Sequence, residues 1–183
     1  DIIFRNRAKI NDDIYVSGNL GDGYLGLLVL KNKIKLNTIL SKYFANQYFM
    51  PDIQLKLINY LKKFANTSID ISDGLLSDLD KMINSQKLFY KLDLKSIPIS
   101  NNLKKTLHLK KLPKINYISK GDDYQVLFTA SHNKRRIIKK IATKLNLRIT
   151  KIGIIKKNNQ KSSIVDDNNA LINVKNKGYI HKF

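Results

Sequence analysis

The chain has 183 residues, 43% of them hydrophobic, and carries 34 Lys and Arg against 14 acidic residues, a formal net charge of +20. That is enough apolar material for one good core, and the absence of cysteine excludes a disulfide framework or a thiolate metal site. The longest apolar run, Leu25 to Leu30, excludes a sequence-encoded membrane span, and no signal-peptide pattern opens the chain. The expectation is a single α+β domain over 1–183 in the cytoplasm. Because it starts at Asp1 with structure-like residues, it reads as a piece of a longer protein.

A charge of +20 invites a nucleic-acid partner, yet Lys and Arg are spread over nearly every segment and no RNA- or DNA-binding motif accompanies them. Nucleic acid therefore ranks below small anionic ligands as a partner. All 14 acids are aspartate, and they cluster as Asp12-Asp13, Asp70/Asp73/Asp78/Asp80, Asp122-Asp123 and Asp166-Asp167.

In chain order, residues 1–9 form a leading segment with Arg5 and Arg7. Asn11-Asp12-Asp13 reads as a turn and Ile14 to Ser17 as a strand. Gly18 to Leu27 is glycine-rich and feeds a helix; Gly21, Gly23 and Gly26 match GxGxxG. The second strand with its terminal acid is missing, so tight turning and close helix packing explain these glycines better than a dinucleotide site. Residues 36–50 read as helix. After Met50-Pro51-Asp52, an amphipathic helix is expected from Ile53 to Phe64 with Leu57, Ile58, Leu61 and Phe64 inward.

The central stretch runs Ser68 to Leu79: a strand to Ile71, a turn at Ser72-Asp73-Gly74, then a helix with Leu75, Leu76, Leu79, Met82 and Ile83 inward. Two readings stay open here. Asp73 is an N-cap and Asp70 a solvated acid, or both are oxygen ligands of a hard cation with helix N–H groups facing a bound phosphate. Strand Leu88–Leu94, helix Asn101–Leu109, and a turn at Gly121-Asp122-Asp123 feeding strand Tyr124–Thr129 follow. Next come helix Asn133–Asn146, with Ile137, Ile141 and Leu145 inside and a solvated Arg135/Arg136/Lys139 face, and strand Arg148–Ile155. A polar loop and a hairpin-like segment at Asp166–Asn169 close the chain. His108, His132 and His181 lack ligand spacing. The inventory permits phosphoryl transfer, which rests on positioning and charge neutralisation, without singling it out.

Four stretches in order carry a resemblance. Ile69-Asp70-Ile71-Ser72-Asp73-Gly74-Leu75-Leu76-Ser77-Asp78-Leu79 resembles the iDiSDGLlaDL signature of the thiamine-monophosphate kinase family. Tyr15 to Asp22 with Gly26-Leu27 is similar to its yvtGtlGdaaaGL passage, Gly121-Asp122-Asp123-Tyr124 to its GGEDYEL, and Gly178-Tyr179-Ile180-His181-Lys182-Phe183 to its aromatic terminus. The match spans the C-terminal domain of that two-domain enzyme.

The resemblance implies a layered α/β/α domain with a mixed sheet, like the C-terminal domain of aminoimidazole ribonucleotide synthase. It also implies ATP-dependent, Mg²⁺-dependent phosphorylation of thiamine monophosphate to thiamine diphosphate by a homodimer. It assigns Asp70 and Asp73 to Mg²⁺, Ser72 and Arg5 to ATP, and Asp122 and Tyr179 to the thiamine phosphate, with no general base. In that family the N-terminal domain supplies most of the nucleotide and magnesium site, so the 183 residues alone are expected to show little kinase activity. Lys120, Asp122, Gln125 and Lys182 depart from the family pattern. Rival readings are a relative using another phosphate substrate, a degenerate homologue and a basic nucleic-acid-binding module.

Overall fold

The structure, a computed structural model, describes residues 3–83, 86–157, 161–174 and 178. Among them, six strands form one sheet: β1 (Asp13–Ser17), β2 (Thr67–Asp70), β3 (Phe89–Asp93), β4 (Val126–Ala130), β5 (Ile149–Lys156) and β6 (Ser163–Val165). They lie in the order β2-β4-β1-β5-β3-β6. Every pairing is antiparallel except β3 with β6, so the expected mixed sheet is present.

Period-two alternation divides the core between the two sheet faces. Ile14 and Val16 point to one side with Ile69, Leu127, Leu92 and Ile152. There they pack on Leu75, Leu76, Leu79 and Met82 of α4 (Leu75–Met82). Tyr15, Phe128 and Ala130 point to the other side. They meet Leu57 and Leu61 of α3 (Leu55–Leu61) and Ile138 and Ile141 of α7 (Arg135–Leu145). The Tyr15 and Phe128 rings stack there with centroids 5.2 Å apart. A third cluster, outside the sheet, joins four helices through Leu25, Phe44, Leu103, Leu107 and Tyr117. These are α1 (Asp22–Leu30), α2 (Thr38–Phe49), α5 (Asn101–Leu109) and α6 (Ile115–Ile118).

The glycine-rich passage behaves as a packing device. A Cβ on Gly26 would sit 2.1 Å from the Phe44 carbonyl, so α1 and α2 approach as closely as a glycine allows. Three expectations are corrected. α3 begins at Leu55 instead of Ile53, and Ile58 is exposed. Asp13 is the first residue of β1 and fully buried, so the turn ends before it. Finally, Ile138 joins Ile141 in the core beside the partly buried Ile137 and Leu145, and Arg135 is not simply solvated. Its guanidinium donates from Nε at 2.6 Å and Nη2 at 2.9 Å to the Asp13 carboxylate. Sequence patterning placed the charge outside correctly but could not see that β1 begins there with a buried acid. Among the described residues no helix is long and apolar enough to cross a membrane.

Candidate active site

The end of β2 and the start of β4 are paired, and the turns at that end lock together. Ile71 N–H donates to the Gln125 carbonyl at 2.9 Å, Tyr124 N–H to the Ile71 carbonyl at 2.8 Å, and Asp122 N–H to the Ser72 carbonyl at 3.1 Å. The fit has no room for side chains. Gly121, at φ +85°, would place a Cβ 2.1 Å from the Ser72 carbonyl oxygen, and Gly74, at φ +117°, one 2.3 Å from that of Ser119. Both the left-handed backbone and the close approach demand glycine. So the Asp70–Gly74 turn and the Lys120–Tyr124 turn form one rim.

Three carboxylates share that rim. Asp70 is exposed at the last position of β2, while Asp73 and Asp122 are half-buried. Burial pushes the Asp122 carboxyl up, and the nearby Asp73 charge pushes it further. The Tyr124 phenol is raised by burial, and the charges of Asp122, Asp70 and Asp73 push it the same way. Among the described residues, no hydrogen bond or ion pair involves the carboxylates of Asp70 or Asp122. Asp73 instead meets the Lys81 ammonium, which also bonds Asp78 Oδ1 at 3.0 Å.

Asp73 is not the helix cap. The N-cap of α4 is Gly74, with no side-chain cap bond. Asp78 binds the free amides of the turn in its place. Its Oδ2 accepts from Ser72 N–H at 2.9 Å, Asp73 N–H at 2.9 Å and Gly74 N–H at 3.1 Å. The amides of Ser72, Asp73 and Gly74, just before α4, are therefore occupied by the chain's own carboxylate. Asp78 stood in the sequence as one of a cluster. Its position within the first turn of α4, one turn after the amides it binds, was the available signal.

A second internal acid braces the other turn. The Asp123 carboxylate accepts from Gly21 N–H with both oxygens at 2.9 Å and from Gly23 N–H at 3.4 Å, which ties the glycine passage to the rim. Burial holds it well above the usual carboxylate range, with those amides opposing and the Asp22 and Asp122 charges adding. Behind it Asp22, receiving Ser100 Oγ at 2.7 Å and the Tyr43 hydroxyl at 3.0 Å, is pushed up by burial to about 6.

The remaining expected residues are placed less closely. Arg5 is exposed, and its neighbour Asn6 donates its N–H to the Met82 carbonyl, at the far end of α4 from the rim. Eight helical residues separate the two ends by about 12 Å. Tyr179 lies outside the described residues. Gly178 is buried against Ser77 and the Asp73 carbonyl. A groove of about 950 Å³ between α7 and β5 lies away from the rim and is walled by Tyr15, Arg135, Lys139, Arg148 and Lys151. No group of three or more metal-ligating side chains able to hold an ion occurs among the described residues.

No family model matches the chain. Curated sequences do. A thiamine-monophosphate kinase from Buchnera aphidicola (subspecies Acyrthosiphon pisum) is 32% identical over 98% of this chain and 55% of its own length. That from Escherichia coli K12 is 30% identical over 81% and 46%. The chain is homologous to the C-terminal half of the thiamine-monophosphate kinases. It spans about half the length of the curated relatives it matches. Among solved structures it superposes on the thiamine-monophosphate kinase of Stenotrophomonas maltophilia with a TM-score of 0.77 and 29% identity, covering 90% of this chain and 52% of that one. A structure of AaThiL complexed with AMPPCP and TMP gives 0.78 and 26% over 97% and 53%. The hydrogenase maturation protein HypE of E. coli, at 14% identity and TM-score 0.71, shares the fold alone, that of the aminoimidazole ribonucleotide synthases.

Proposed function

We propose that residues 1–183 are the C-terminal domain of a two-domain enzyme that transfers the γ-phosphoryl group of ATP to thiamine monophosphate, giving thiamine diphosphate. The observation that carries this reading is the hydrogen-bonded rim, where the Asp70–Gly74 and Lys120–Tyr124 turns bring three carboxylates together. The homology supports it, as does the likeness to a relative complexed with AMPPCP and TMP. In this reading Asp70 and Asp73 bind Mg²⁺, Ser72 and Arg5 face the nucleotide, and Asp122 and Tyr179 meet the thiamine phosphate. The acceptor phosphate is anionic at neutral pH, so the reaction needs charge neutralisation and alignment in place of a general base. Hard oxygen donors fit Mg²⁺, which when bound neutralises phosphate charge. The enzyme works in the cytoplasm as a homodimer.

The test is a coupled assay on the full-length protein with ATP, Mg²⁺ and thiamine monophosphate, with thiamine diphosphate as the product read. Activity that falls at least about a hundredfold in Asp70→Ala and Asp73→Ala supports the reading. Wild-type rates in both remove the ligand assignment, and no thiamine diphosphate from the wild type removes the kinase. The isolated 183 residues are expected to be nearly inactive; appreciable turnover by them would overturn the division of the site between two domains.

A further inference from the structure

We infer that Asp78 is a positioning residue that fills the amide nest of the Ser72–Gly74 turn from inside the chain and thereby reserves that turn for cations. The inference rests on the metal-ligand reading of Asp70 and Asp73 given above. A strand-to-helix turn ordinarily offers its free N–H groups to a phosphate or other anion. Here three consecutive N–H groups converge on one oxygen of Asp78, whose side chain is 1% exposed. Its other oxygen is held by Lys81, which reaches on to Asp73. The nest formed by these three amides is thus taken by the chain's own anion. What the turn presents instead are the side chains of Asp70, Ser72 and Asp73. The backbone that carries Ser72 and Asp73 is fixed by the same three bonds, so at the Ser72–Gly74 nest a phosphate is met through a cation or a side chain and not through these amides.

A carboxylate that only capped α4 would affect stability and nothing else. A positioning carboxylate should change cation affinity without changing affinity for the organic substrate. The experiment uses the full-length protein with Asp78→Asn, which keeps one acceptor oxygen, and Asp78→Ala, which keeps none. Binding of Mn²⁺ is read by the electron paramagnetic resonance of the free ion, and steady-state kinetics are read against Mg²⁺ and against thiamine monophosphate. Expected are a loss of Mn²⁺ affinity of about tenfold in Asp78→Asn and more in Asp78→Ala, and a parallel rise in the Mg²⁺ concentration for half-maximal rate. The KM for thiamine monophosphate should stay within about twofold. Where Asp78→Ala does not fold, Asp78→Asn carries the comparison.

Mn²⁺ affinity unchanged in an active, folded Asp78→Asn protein overturns the inference, as does an equal rise in both substrate and metal requirements. A wild type that binds Mn²⁺ in an Asp78-dependent way yet makes no thiamine diphosphate overturns the kinase reading and leaves this one standing. A wild type that binds no Mn²⁺ overturns both.

Discussion

The two ends of the central strands use aspartate in opposite ways. At the β1 start, Asp13 is fully buried but surrounded by cation, with Arg135 at 2.6 Å and Lys151 at 2.8 Å. Burial alone would raise its pKa, and these partners outweigh it and hold the carboxyl below the ordinary value. Beside it, Asp12 accepts from Lys9 N–H, the Asn66 amide and Thr129. At the other end, where β2 runs out and β4 begins, Asp22, Asp122 and Asp123 are all raised, chiefly by burial. Hydroxyls and amides hold Asp22 and Asp123, and Lys81 bonds to Asp73 and Asp78. In a chain of +20, cations were available to neutralise these acids. One end neutralises its buried acid with paired cations; the other, in the proposed reading, keeps a negative field for a bound cation.

The largest expected effect that sharpens this contrast is on pH dependence. Because the folded-state pKa of Asp22 is about 6 against 3.8 when unfolded, the native state binds the extra proton. Its contribution therefore favours the fold below pH 3.8 and declines as pH rises to about 6, a loss of about 3 kcal/mol at about 1.36 kcal/mol per unit. Denaturant titrations from about pH 4 to 7 should show Asp22→Asn flattening that decline, and an unaltered slope would contradict it. Somewhat smaller is Asp13→Ala, expected to cost about 2 kcal/mol, less than a fully buried pair because both cations are half-exposed. Asp13 has the opposite sign: its contribution is present above pH 3.8 and is lost as pH falls below it. Equal stability of Asp13→Ala and wild type at neutral pH would break the contrast. The smallest stability effect should come from Asp70→Asn, within about 0.5 kcal/mol, because that exposed acid has no structural partner to lose among the described residues. A loss as large as that of Asp13→Ala would make Asp70 structural.

The same contrast explains what could be read in advance. Helix α5 was legible to the residue, since Ser100 caps it and the apolar spacing is regular. The inward set of α4 was equally plain, with Leu75, Leu76, Leu79, Met82 and Ile83 all buried. Asp70, Ser72, Asp73 and Asp122 came from motif resemblance, and the structure brings their two turns together. The role of Asp123 was not legible, because a carboxylate that binds backbone N–H groups across the fold leaves no local pattern, while Asp78 offered only its place in the first turn of α4. Arg135 was missed for a related reason: its partner lies 122 residues away, and local periodicity reports a face without reporting what lies across it. Short α6 has too few residues to show a helical period.

In the proposed reading the two turns form one negative rim: Asp70 and Asp73 hold the cation, and Asp122, which meets the thiamine phosphate, adds its charge to the field around it. A double-mutant cycle on the full-length protein, Asp73→Asn with Asp122→Asn, read as Mn²⁺ affinity, tests it most directly. The account predicts that the two losses are coupled by at least about 1 kcal/mol, so that the double variant binds measurably better than the summed single losses require. Strictly additive losses, or no loss from Asp122→Asn, would contradict it.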